Sequence, residues 1–93
     1  MYRKRYAKRF KTSIRKILKS GRYKQEEIEI VIEILASGET LDRKYRDHAL
    51  TGELIKYREC HIKSDLLLIY KIEKDVLVLG LADIGSHANL FGI

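Results

Sequence analysis

Proline and tryptophan are absent from this chain, and cysteine occurs once. A lone Cys60 allows no internal disulfide and no four-cysteine zinc site, so a reducing cytoplasm is the simplest setting. No uninterrupted run of apolar side chains exceeds the five residues Leu66–Tyr70. A membrane-spanning helix needs roughly 20. The N-terminus is basic but lacks the apolar block of a signal peptide. Acidic residues are missing from positions 1–24, which hold eleven Lys and Arg; positions 25–93 hold eight basic and thirteen acidic residues. The N-terminal quarter therefore supplies all of the formal charge of +6. Clustered cations of this kind suggest a polyanionic partner.

What is present fits one small domain, residues 1–93, with a single core. At 45% hydrophobic the chain is too apolar to be disordered. Residues 2–6 are a candidate for a short first strand. Phe10, Ile14, Ile17 and Leu18 recur with helical period, and Ser20-Gly21 stops that helix. Lys8, Arg9, Lys11, Arg15, Lys16 and Lys19 cover the rest of it. Such like charges four apart repel, so a helix that tolerates them is expected to meet a polyanion. A second helix is predicted over Gln25–Ser37, with Ile28, Val31, Ile32 and Leu35 inward and Glu26 and Glu27 in its first turn. Ile30 and Ile34 broaden that stripe and predict a well-buried helix. Residues 38–52 read as one long connection, and loops of that length are often functional. Strands are predicted over Glu53–Ile62, Leu66–Ile72 and Val76–Ala82, with an irregular tail from Ile84 to Ile93. Short connections between them predict an antiparallel meander. The fold class is α+β, with both helices on one face of a small antiparallel sheet.

All three histidines lie in the C-terminal half: His48 in the long loop, His61 at a strand end, His87 after the last strand. Histidine suits proton transfer near neutrality. Glu59 shares a strand face with His61, and Asp65 follows across a turn. Cys60 and His61 are adjacent on a strand, so they point to opposite faces and do not form a Cys–His pair. A metal site built from the three histidines and Asp65 has no compact ligand spacing to support it.

Four blocks occur in order: Arg46-Asp47-His48-Ala49-Leu50-Thr51-Gly52, Tyr57-Arg58-Glu59-Cys60-His61-Ile62, Asp65-Leu66-Leu67-Leu68-Ile69-Tyr70, and Gly85-Ser86-His87-Ala88-Asn89-Leu90-Phe91-Gly92. Together they resemble the YafQ branch of the RelE superfamily, toxins of bacterial type II toxin–antitoxin modules. The resemblance implies two N-terminal helices on a small antiparallel sheet, and a ribosome-dependent mRNA endonuclease. It implies as partners the ribosome, messenger RNA and a cognate antitoxin of the DinJ or RelB kind, in a higher-order complex such as a heterotetramer. No membrane, metal or cofactor is implied. Carried over by position, the site residues are His48, His61, Asp65, His87 and Phe91. The chemistry expected is attack of a 2′-hydroxyl on the adjacent phosphorus, with His48 or His61 as base, His87 as acid, Asp65 orienting a histidine and Phe91 stacking a base. The chain departs from the family at Asp83, where an arginine is usual. Arg46 and Arg58 are candidates for phosphate contact in its place, and Lys8, Arg15 and Lys19 for docking on RNA or on an acidic antitoxin. The alternative is a non-catalytic RNA-binding module of the same fold. A membrane-surface protein using the basic helix is a weaker competitor, because the core needs that helix's apolar face.

Overall fold

The computed structural model describes residues 1–91. Gly92 of the last sequence block lies outside them, as does Ile93 at the end of the tail. The elements run β1 (Arg3–Tyr6), α1 (Lys8–Lys19), α2 (Gln25–Ala36), β2 (His48–Ala49), β3 (Arg58–Lys63), β4 (Leu66–Glu73), β5 (Val78–Gly85) and α3 (His87–Phe91). Short 3-10 turns at Arg43–Tyr45 and Gly52–Leu54 break up the long connection.

The five strands form one sheet in the order β1-β5-β4-β3-β2. β2 through β5 are antiparallel neighbours, as the short turns predict. β1 instead lies parallel to β5, Arg3 opposite Val78 through Tyr6 opposite Leu81, so the sheet is mixed. A parallel partner must be reached by a crossover, and here α1, α2 and the meander together make that long return.

One core lies between the helices and one sheet face. Ile28, Val31, Ile32 and Leu35 of α2 are buried there with Phe10 of α1 and with Leu68, Tyr70, Leu79, Leu81 and Ile84 of the sheet. Ile14, Ile17 and Leu18 pack against the same cluster, so both helices cover one face as predicted. α1 ends where expected: Gly21 follows the Ser20 cap with φ of +73°, a conformation glycine adopts without steric cost. α2 is less enclosed than its apolar residues suggest. Ile30 is 55% exposed, because a stripe that wide exceeds what one sheet face can cover.

Two further differences bear on the site. The segment 53–57, expected in the first meander strand, is the end of the second 3-10 turn followed by a turn at Ile55 and Lys56, and pairing begins at Arg58. The tail is not irregular throughout: β5 extends to Gly85 and α3 follows at once. Ser86 caps that short helix, its Oγ accepting from the Asn89 N–H at 3.2 Å. Gly85 lets α3 fold back on the strand, since a Cβ there would stand 3.3 Å from the Cβ of Asn89.

Candidate active site

Strand register decides which side chains meet. Side chains directly opposite one another on paired strands share a sheet face. His48 is opposite Glu59, Glu59 opposite Ile69, and Ile69 opposite Asp83. These four form one row across β2, β3, β4 and β5. A register shift between Ile69 and Tyr70 leaves Ala82 unpaired and so brings Asp83 into the row. His61, Leu67 and Gly85 form the next row on that face. The histidines and Glu59 therefore sit on the sheet face opposite the helical core, whereas Asp83, beside the bulge, turns to α1 and accepts from Ser13.

Glu59 is the hub. Its side chain is only 5% exposed, and it is the one buried charged residue among those described. The Nε2 atoms of His48 and His61 are each 3.5 Å from its Oε1, and that of His87 is 3.8 Å away. A buried carboxylate is tolerated only with partners, and here the partners are three imidazoles drawn from a loop strand, a central strand and a terminal helix. His48 donates from Nδ1 to the Arg46 carbonyl at 2.7 Å, which directs its Nε2 toward Glu59. Arg46 can offer that carbonyl because its backbone is left-handed, with φ of +49°. His61 is mostly enclosed, and its Nδ1 is buried without a hydrogen-bond partner. His87 opens α3 and is 59% exposed. Phe91, one turn later, stands edge-to-face with it at 5.3 Å between ring centres.

Other candidates are not brought to this cluster. Arg58 pairs opposite Ala49 and Tyr70, which places it on the other sheet face from Glu59. There it donates to Asp47 from Nε at 3.3 Å and from Nη2 at 3.1 Å. Asp47 also accepts from the buried Tyr70 hydroxyl. Arg58 is thus a structural clamp rather than a free cation beside the histidines. The clamp grips the residue before His48 and so fixes β2, which pairs with β3 at two positions only. Asp65 lies in the β3–β4 turn and, among the described residues, makes no hydrogen bond or ion pair with a histidine. It accepts from Arg22 at 2.9 Å, and a hydrogen bond from the Tyr23 hydroxyl holds its carboxyl below the usual carboxylate range. Arg46 lines a groove of about 430 Å³ that also exposes His61 and Ile30. Lys8 lines a larger groove beside α1, whereas Arg15 and Lys19 stand exposed outside it.

Cys60 is fully buried on the core face. Burial, with Asp47 and Glu59 nearby, pushes its thiol up to about 12. It stays protonated and unreactive near neutrality. Iodoacetamide at pH 8 is expected to leave the native protein unmodified and to alkylate it fully in guanidinium, as read by mass spectrometry. Modification of the native protein at the free-thiol rate would contradict this burial.

Sequence reasoning missed the hub of the cluster and the ion pair that Arg9 makes with Asp83. Glu59 was visible only as a neighbour of His61, because nothing in one sequence shows that three histidines converge on it. Arg9 was lost among the cations of its helix. Among the described residues no group of three or more His, Cys, Asp or Glu is arranged to hold a metal ion.

A small mixed sheet with two helices on one face is the architecture of small bacterial toxins of known structure. A metal-bound toxin from Helicobacter pylori superposes with a TM-score of 0.88 and 40% identity, over 98% of this chain and 100% of that one. YafQ in the Escherichia coli DinJ–YafQ complex superposes with a TM-score of 0.86 and 26% identity, over 99% and 100%. The mRNA interferase toxin YafQ of E. coli K12 is 42% identical over 48 residues, 52% of this chain and 50% of that protein. Such matched stretches span half or less of the curated relatives. The profile of the family described as "Bacterial toxin of type II toxin-antitoxin system, YafQ" matches residues 2–92. The chain belongs to the YafQ family of type II toxin–antitoxin toxins.

Proposed function

We propose that this protein is a ribosome-dependent endoribonuclease that cuts messenger RNA in the cytoplasm and is silenced by a cognate antitoxin bound in a higher-order complex. The observation that carries the reading is the convergence of His48, His61 and His87 on the buried Glu59. RNA cleavage by internal attack needs a base at the 2′-hydroxyl, an acid at the departing 5′-oxygen, and compensation of the charge gained by the phosphoryl oxygens. His48 and His87 are half or more exposed and able to reach a substrate. His48 acts as base through Nε2, its tautomer set by the bond to the Arg46 carbonyl. His87 acts as acid. Glu59, beside the Nε2 atoms of both rings, stabilises through its charge the imidazolium formed as the base takes its proton. His61, largely enclosed, completes the cluster from below. Arg46 is the phosphate contact nearest the rings in sequence, and Phe91 fixes His87 while offering a face to a splayed base. Metal-bound relatives exist among the H. pylori toxins, but the donor geometry here gives no reason to route a step through a metal.

The test is to induce the chain alone in bacteria and map messenger 5′ ends. Growth arrest with new in-frame 5′ ends is expected, reversed by the antitoxin. Unimpaired growth with no new ends, from protein shown to be folded, would overturn the catalytic reading in favour of a binding module.

A further inference from the structure

The carboxylate at the end of the histidine row, Asp83, is not offered to a ligand. It accepts from Ser13 Oγ at 2.7 Å and from the Ile84 N–H at 2.8 Å, and its other oxygen takes Arg9 Nε at 3.1 Å. Its charge is consumed by these bonds, and Asp83 itself is mostly enclosed. The outermost group of the constellation is the guanidinium of Arg9, 76% exposed and held at Nε alone, with no other ion pair among the described residues. Its two terminal nitrogens are left for a ligand. A guanidinium paired at Nε and otherwise exposed can offer its two terminal nitrogens to a phosphate.

The surroundings extend this. Arg9 and Asp83 line a groove of about 750 Å³ between α1 and the free end of β5. Lys8, Lys16 and Arg22 line it too. Its far wall includes Gly85 and Asn89, at the start of the helix that carries His87. Asp83 is two strands from Glu59 in the row, about 10 Å at the usual strand spacing. The groove runs along α1, and Asn89 in its wall lies two residues beyond His87 on α3.

We propose that this groove seats the phosphodiester backbone of single-stranded RNA leaving the histidine cluster, and that Arg9, aimed by Asp83 and Ser13, is its principal phosphate contact. The proposal rests on the endoribonuclease reading and names the path of the substrate. Asp83 then supplies a cation indirectly: it brings the guanidinium of α1 to the end of the row.

Two readouts test this independently. The first is binding of a short single-stranded RNA, with 2′-deoxy at the cleavage position, across a range of salt. Arg9→Ala is expected to weaken binding about 10- to 100-fold and to reduce the slope of log K against log salt by about 0.7, one single-strand phosphate. The second is messenger cleavage on ribosomes, expected to fall with it. Adding Asp83→Arg to Arg9→Ala returns a cation to the same place and is expected to recover most of both losses. Lys74→Ala, the same charge change in the β4–β5 turn, is expected to alter neither, and thermal melting checks that each variant is folded. If Arg9→Ala leaves RNA affinity and salt slope unchanged, the proposal is wrong, whatever the cleavage assay gives. It is equally wrong if Arg9→Ala weakens only antitoxin binding. If RNA binding depends on Arg9 but the unmodified protein cuts nothing, the groove stands and the catalytic reading falls.

Discussion

His87→Ala is expected to lower messenger cleavage by about 10²- to 10⁴-fold, the usual cost of removing a general acid, while leaving the fold intact. His87 is 59% exposed and lies outside the hydrophobic core, beside Glu59, His61 and Phe91, so its loss opens no core cavity. Assigning it as the acid also fixes a sign. A base must be deprotonated and an acid protonated, so the pH–rate profile of the unmodified protein should rise and then fall. Without His87 the alkaline fall should disappear, because no protonated acid remains to be lost. His48→Ala should remove the acidic rise instead. If His87→Ala kept the alkaline limb, the two roles would be exchanged. If it kept full activity, the acid–base scheme would be wrong. Glu59→Gln keeps the shape of the hub without its charge, and a smaller loss is expected from it, since the rings remain but the imidazolium is no longer stabilised.

The second large effect is on stability. Tyr70→Ala is expected to cost about 3–5 kcal/mol, the range for deleting a buried aromatic ring, against total stabilities of about 5–15 kcal/mol for domains generally. Tyr70 is 1% exposed and among the largest fully buried side chains. Burial, and the hydrogen bond to Asp47, push its hydroxyl well above the usual tyrosine range, so it remains a donor at every pH the protein meets. Tyr70→Phe separates the ring from the hydroxyl. It should cost only about 1.5–3 kcal/mol, the loss of one hydrogen bond to a charged group, yet it loosens Asp47 beside His48. Cleavage should therefore fall more than the stability loss explains. Urea unfolding at constant m-value gives the first quantity and single-turnover cleavage the second. Unchanged cleavage in Tyr70→Phe would show that the clamp serves the fold alone.

The helices and the central strand were legible because their signals are local. The period of Phe10, Ile14, Ile17 and Leu18 and the unbroken run Leu66–Tyr70 leave little choice of element. The parallel pairing of β1 was not legible, since four residues of mixed character carry no sign of which strand they will join. Loop and strand-end positions in a meander allow the histidines to converge, but the carboxylate on which they meet was not legible. Their convergence depends on β2, two residues long, and on α3 folding back at Gly85. One misplacement was avoidable. The alternation that separates Cys60 from His61 also separates Arg58 from Glu59, so Arg58 had to lie on the wrong face for phosphate contact. Asp83 shows the opposite limit: its register depends on the unpaired Ala82, and no period in the sequence announces a bulge.

The sheet's two borders carry a last consequence. An exposed strand edge is a template on which another copy can add by backbone pairing. Here one border is β2, too short to template anything, and the other is β1, where Arg3, Lys4 and Arg5 follow one another, all exposed. Two molecules meeting edge to edge along β1 would press Arg3 and Arg5 against their counterparts, Lys4 being paired with Glu33. The fold is thereby guarded against self-templated aggregation at its one sizeable open edge, even at the high local concentrations of newly made protein.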